Sequence, residues 1–245
     1  TPGVVKVTPE DISVDIKLAA ENQDFETAAA CLAKRNEAMT GSFDFKGKVA
    51  GQGKADQLVK ALKGKLEYIA KDGRIYRHVP LKKILAYLHV TEVFKGQLPD
   101  MNEEGFPYKS ITVKTDLKNG TLSLKEGILD SVSMKIIAKG DWDLVNDKIN
   151  FVVLVAPLKT VDSIVTKIPL VRRVFKDSLV SIPVKVKGDF KNPEVTPLSP
   201  SAVGSEILGI MGRTLKLPFT LLDPIMPKKK ENQDGSQKTN NKDLQ

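Results

Sequence analysis

Between Ser110 and Pro157 the chain alternates apolar and polar side chains in short segments separated by turn residues. Ile111, Val113 and Leu117 share one side of the first segment, and Leu122 and Leu124 share one side of the next. Asn119-Gly120 between them is the strongest short-range hairpin signal, because a two-residue turn of this kind needs positive φ. Val132, Met134, Ile136 and Ala138 then alternate with Ser133, Lys135, Ile137 and Lys139. Trp142 and Leu144 follow Gly140, Asn146-Asp147 makes a further turn, and Ile149, Phe151, Val153 and Val155 end the run. A period of two sends successive side chains to opposite sides of a strand. The stretch therefore predicts four or five antiparallel strands with one apolar and one wetter face. The rest of the chain must extend this sheet or cover it.

Upstream the same pattern recurs. Val4 to Val7 fits a short strand, and Ile12, Val14, Ile16 and Leu18 alternate with Ser13, Asp15 and Lys17. Asp24 is placed to cap a helix reaching about Arg35, with Phe25, Ala28, Ala29 and Leu32 along one side. Gly41 to Gly53 reads as a strand with Phe43, Phe45 and Val49 on one side, its glycines marking a bulge or a sharp coil. Ala55 to Leu62 fits a short helix, and Asp72-Gly73 predicts a second hairpin between Leu66–Ala70 and Arg74–Tyr76. Pro80 opens a helix whose Leu81, Ile84, Leu85 and Leu88 form a stripe opposite Lys82 and Lys83. That stripe suits a helix packed on the sheet or, more sharply, a cap at one end of an apolar channel.

Downstream, Leu98 to Pro107 is a polar loop leading into the central meander. Val161 to Ile168 fits a short helix stopped by Pro169, followed by the exposed basic pair Arg172 and Arg173. Val180, Ile182, Val184 and Val186 make another alternating strand, and Pro183 argues for an edge or a bulge there. Asn192-Pro193 and Pro197 are expected to end the sheet. Ser199-Pro200 opens a helix to about Lys216, with Val203, Ile207, Met211 and Leu215 at successive fourth positions. Gly204, Gly209 and Gly212 each cost it roughly 1 kcal/mol against alanine, so it must dock on something apolar. Phe219 to Met226 extends it, and the tail from Lys228 reads as disordered. The expected organisation is residues 1–38 as entering strands and helix continuing a larger upstream sheet, 39–198 as the main β domain, 199–227 as an amphipathic helical segment and 228–245 as a polar tail.

Several function classes find little support. The formal net charge is +8, but the lysines are scattered at alternate strand positions, as a solvated β face requires. Aromatic residues make up 6%, with no stacking motif among the basic residues, which disfavours nucleic acid. Cys31 is the single cysteine, read as a structural thiol in its Ala-rich helix. His78 and His89 stand eleven residues apart with no third ligand in view, so no metal is expected. No glycine-rich phosphate loop and no nucleophile with a base is found, and Asp130, Asp141, Asp143 and Asp147 fall in turns and on strand faces. The expectation is a protein that is no enzyme and needs no cofactor. No run of about 18 apolar residues could span a bilayer. The chain reads as a piece of a longer protein, with any membrane anchor outside it.

The ordered set of motifs resembles the C-terminal region of the AsmA-like family of bacterial envelope proteins. The resemblance covers roughly Met39 to Met226. It is carried by Thr40-Gly41-Ser42-Phe43-Asp44-Phe45, Asp72-Gly73-Arg74-Ile75, Leu81-Lys82-Lys83-Ile84-Leu85, Asn119-Gly120-Thr121-Leu122 and Ala138-Lys139-Gly140-Asp141-Trp142-Asp143-Leu144. Pro157 follows, then Ile182-Pro183-Val184-Lys185-Val186-Lys187-Gly188-Asp189-Phe190-Lys191-Asn192-Pro193-Glu194-Val195 and the Leu217-Pro218 segment. The resemblance implies an α+β protein, mainly β, in which a long curled antiparallel sheet forms an apolar groove capped by short helices. It implies a periplasmic body attached to the inner membrane, with phospholipid moved toward the outer membrane or that membrane maintained. The anchor and long N-terminal groove of that family are missing from this chain.

Three readings follow. In the first, an acyl chain lies in an apolar trough lined by Phe43, Phe45, Val49, Ile111, Val113, Leu122, Leu124, Val132, Met134, Ile136, Trp142, Leu144, Phe151, Val153, Ile182, Val184 and Val186. Each buried methylene would contribute about 0.8 kcal/mol. The same residues would equally form an ordinary closed core. In the second, the chain is a docking module for envelope proteins through Val203, Ile207, Met211 and Leu215. The third, an enzyme built on the scattered carboxylates, is the weakest.

Overall fold

The computed structural model describes residues 4–8, 10–32, 39–76, 78–89, 104–158, 179–215 and 219–221. They form an antiparallel meander in which each strand lies beside its chain neighbours. The strands are β1 (Val4–Val7), β2 (Ile12–Asp24), β3 (Ser42–Gly53), β4 (Lys63–Ile75) and β5 (Phe106–Lys118), followed by β6 (Thr121–Asp130), β7 (Met134–Asp143), β8 (Lys148–Pro157), β9 (Leu179–Asp189) and β10 (Glu194–Pro197). A last strand, β11 (Phe219–Leu221), runs parallel to the start of β9. The first and last strands of the meander are not paired with each other, so the sheet is open. Among the described residues four short helices accompany it: α1 (Phe25–Leu32), α2 (Leu58–Ala61), α3 (Val79–His89) and α4 (Ser205–Leu215).

The turns follow local chemistry. Asn119 and Gly120 take φ of 52° and 73° between β5 and β6, the positive pair that a tight hairpin needs. Asp147 takes φ 52° between β7 and β8, where the Asp143 carboxylate accepts the Val145 and Asn146 N–H groups at 2.9 and 3.1 Å. Asp24 caps α1 as expected, accepting the Thr27 N–H at 2.9 Å. Asp72-Gly73 departs from expectation. β4 passes straight through it, and Asp72 takes φ 51° as an irregularity inside the strand. Arg74 N–H donates to Thr40 Oγ1 and Thr40 N–H to the Arg74 carbonyl, both at 3.0 Å. A Cβ on Gly73 would overlap the Thr40 carbonyl oxygen, so the glycine serves close approach rather than reversal.

Register sorts the side chains. One row runs Ile16, Val49, Gly64, Leu117, Leu122, Trp142, Ile149 and Gly188 across β2 to β9. Another runs Ala20, Phe45, Tyr68, Val113, Gly127, Ala138, Val153 and Val184. One face of the whole sheet is therefore apolar. The opposite face carries the lysines, matched to acids on the next strand: Lys48–Asp15 at 3.8 Å, Lys71–Asp44 at 3.3 Å, Lys114–Glu126 at 3.2 Å and Lys187–Glu194 at 3.5 Å. Irregularities in register at Ala20/Gln23, Lys114/Thr115 and Leu124/Gly127 interrupt the pairing, a device that bends strands.

The helices divide between the faces. Leu81, Ile84, Leu85 and Leu88 of α3 are buried on the apolar face, with Met134, Ile136, Val155, Ile182 and Val184 beneath. α4 lies on the other face, where Ile137, Leu154 and Ala156 make a local apolar patch. Val203, Ile207, Met211 and Leu215 are all buried there. This corrects the docking expectation, because the stripe is already covered by the chain's own sheet. Val203 precedes α4, a 3-10 turn at Pro200–Ala202 having taken the first part of the expected helix. Lys139 pairs with Glu206 and Lys135 Nζ donates to the Thr214 carbonyl at 3.2 Å, pinning both ends of α4.

Other expectations change in detail. β9 is interior, flanked by β8 and β10. Pro183 fits because β10 stops against Val184, so its missing N–H lies where the outer neighbour ends, while its carbonyl accepts Leu198 N–H at 3.2 Å. The sheet continues past Asn192-Pro193 as β10. Val132 sits in the β6–β7 turn with 45% of its surface exposed, because the Ser131 hydroxyl accepts the Ser133 and Met134 N–H groups and closes the turn. Leu144 lies in the β7–β8 turn, its N–H donated to the Gly120 carbonyl. Neither belongs to the apolar face. The expected helix at 161–168, Arg172, Arg173, the tail from Lys228 and the side chains of Cys31 and His89 lie outside the described residues.

Candidate functional site: a cavity beneath helix α3

Between α3 and the apolar face lies a cavity of about 370 Å³. Its floor comes from five neighbouring strands: Ile111 and Val113 of β5, Leu122 and Leu124 of β6, Ile136, Ala138 and Trp142 of β7, Phe151 and Val153 of β8, and Val186 of β9. Its roof is Pro80, Leu81 and Ile84 of α3, with Tyr68 and Ile75 of β4 and Met39 at the side. The strands position these residues by their period of two; α3 arrives because β4 ends at Ile75 and Pro80 starts a helix almost at once.

Polar groups are few. Thr115 contributes a hydroxyl to the floor and is 7% exposed. Burial pushes the Tyr68 phenol well above its usual pKa, so it stays neutral. The indole of Trp142 stacks on Phe190 at 4.4 Å, almost parallel, and its Nε1–H donates to Asp147 at 3.1 Å. The His78 ring meets Phe190 edge-on at 6.3 Å. His78 stands in the cavity wall with an exposed side, while the protein atoms crowded around its ring partly desolvate it and hold its pKa below the usual histidine value. Its Nδ1 accepts the Leu81 N–H at 3.2 Å, so the neutral tautomer carries its proton on Nε2. An almost wholly apolar pocket with a few polar groups at its margin suits a hydrocarbon ligand.

Of the residues expected to line a trough, Ile111, Val113, Leu122, Leu124, Ile136, Trp142, Phe151, Val153 and Val186 meet in this cavity. Met134, Ile182 and Val184 share the face but are buried in the adjoining core. Phe43, Phe45 and Val49 lie on the same face farther along, in β3, where Phe43 packs against Phe25 at 4.6 Å. Sequence reasoning missed Tyr68, Leu129, Ala138 and Phe190 as lining residues, although Leu129 and Ala138 share the alternation of their strands. It weighed His78 only as a metal ligand.

The four aspartates have local tasks. Asp130 pairs with Lys135 at 3.0 Å, Asp141 accepts the Ser123 hydroxyl at 2.6 Å, Asp143 holds its turn and Asp147 holds the indole. Among the described residues, no three His, Cys, Asp or Glu side chains gather as a metal site would need. No described helix is long and apolar enough to cross a membrane. In comparisons with known proteins, no family model, no curated protein and no solved structure matches the chain.

Proposed function

We propose that the apolar face and its cavity form a trough that holds the acyl chains of a lipid, with no catalytic step. One observation carries this: apolar side chains continue in register from β2 to β9, and the roof over them leaves a cavity instead of a filled core. Interiors otherwise pack to crystal-like density.

A bent floor is supported by a distance. Ile75 stands eleven residues past Gly64 on β4, and Phe190 two residues past Gly188, at the opposite end of the same cross-strand row. Five strand spacings of about 4.8 Å and about 3.3 Å per residue would separate them by about 50 Å on a flat sheet. Yet His78, three residues after Ile75, touches Phe190 with ring centroids 6.3 Å apart. At about 3.8 Å per residue that connection holds the two within about 25 Å. We read this approach as a floor that bends toward α3, as a groove for a chain-like ligand would.

With the AsmA-like resemblance, the proposal extends to phospholipid as ligand, the periplasm as site and transport between inner and outer membranes as role. The purified protein should carry acyl lipid, read by mass spectrometry of its organic extract. Ala138→Phe, which fills the floor without adding charge, should lose that lipid while keeping the fold. A lipid-free wild-type protein that also fails to take up a fluorescent fatty acid would overturn the proposal.

A further inference from the structure

We propose that His78 is an acid-sensitive latch on α3, whose protonation loosens the roof of the cavity. The inference deepens the reading of the cavity as a lipid site, yet the latch can be tested without lipid.

His78 immediately precedes α3 and occupies its N-cap, with Nδ1 accepting the Leu81 N–H at 3.2 Å. Only a neutral imidazole can accept there; an imidazolium has a proton on both nitrogens. Protonation would remove the cap and place a cation at the positive end of the helix dipole. Nothing acidic on α3 offsets this: its first turn has no acidic residue, and Lys82 and Lys83 follow.

Among the described residues, the surroundings of His78 offer no ready counter-charge. On the β9–β10 side, Phe190 presents its ring, Asp189 is paired with Lys148 at 3.5 Å and with the Lys191 N–H at 2.9 Å, and Glu194 is paired with Lys187. On the β7–β8 side, Asp147 is engaged by the Trp142 indole at 3.1 Å. From β4, Tyr68 contributes a neutral phenol. Movement at His78 passes through Phe190 to Trp142, the chain's single tryptophan.

The test compares the full chain with His78→Asn and His78→Ala by amide hydrogen exchange and tryptophan emission. Conditions are about pH 7.5 and about pH 5.5, which span the histidine range. Asparagine caps without titrating and alanine does not cap. Wild-type α3 amides should exchange about five- to tenfold faster in acid after correction for intrinsic rates, as loss of a cap of about 1 kcal/mol requires, with Trp142 emission moving in step. His78→Asn should abolish the acid response, and His78→Ala should already show it at neutral pH. An unchanged acid response in His78→Asn, or none in wild type, overturns the latch. A latch that works in a protein taking up no fatty acid would overturn the lipid reading alone.

Discussion

The two halves of the apolar face obey one rule and reach different ends. Over β1 and β2 the face is open, with Val5, Val7 and Leu18 exposing 55, 72 and 38% of their surface. Over β7 to β9, Ile182, Val184 and Val186 expose none. The alternation is equally regular in both halves. The difference lies in what covers them: α3 brings four large side chains over the second half, and no described helix does so over β1. Burial on a sheet is thus decided by its partner layer, and the strand pattern fixes only which side is available for it.

The largest test of this contrast puts a charge on each half. Ile182→Asp should cost more than about 4 kcal/mol or abolish cooperative folding, while Val7→Asp should stay within about 0.5 kcal/mol. Urea denaturation reads both, and equal costs would break the comparison. Truncation sharpens it: Leu88→Ala under the roof should cost about 2–5 kcal/mol, whereas Leu18→Ala should cost less than about 1 kcal/mol. Next come two glycines with positive φ on the covered half, Gly140 at 148° and Gly188 at 98°. Alanine strains either by about 1–3 kcal/mol, but only at Gly140 would its Cβ also overlap the Asn150 carbonyl, so Gly140→Ala should cost more. The smallest effect belongs to the solvated face, where Lys148→Ala breaks an exposed pair and should cost less than about 1 kcal/mol.

Acid should weaken the covered half before the rest. His78 has a lowered pKa in the fold because burial disfavours its charged form. The unfolded chain then binds more protons, so this contribution is complete above the unfolded value of 6.5 and is lost as pH falls from there toward the folded value. Asp24, Asp44 and Asp143 are lowered chiefly by hydrogen bonds from the Thr27 backbone, the Asn22 backbone and the Asn146 side chain. Their contribution is present above 3.8 and is lost only as pH falls through their folded values. Melting curves should show two acid phases, and His78→Asn should remove the upper one.

Most of the sheet was legible because strand alternation and positive-φ turns are local properties. Asn119-Gly120, Asn146-Asp147, the Asp24 cap and the Leu81–Leu88 stripe each act within a few residues, and each appears where the sequence places it. Asp72-Gly73 misled because a left-handed residue can serve a long-range approach, here to Thr40, as well as a reversal. Val132 misled because a single hydroxyl, Ser131, can close a turn in the middle of an apolar run. The stripe on α4 announced that it needed a partner, but only the pairing of β7 with β8 brings Ile137 and Leu154 together beneath it. Tyr68 and Phe190 belong to the cavity through a path across six strands, which no local pattern records.

Because every strand of the meander bonds to its own sequence neighbours, the zipper can close in order as the chain lengthens, without waiting for distant segments. The same wiring makes breadth adjustable. A hairpin could be spliced in between two others and leave every remaining hydrogen-bond partner unchanged, provided that the newcomer kept the oily side facing the same way.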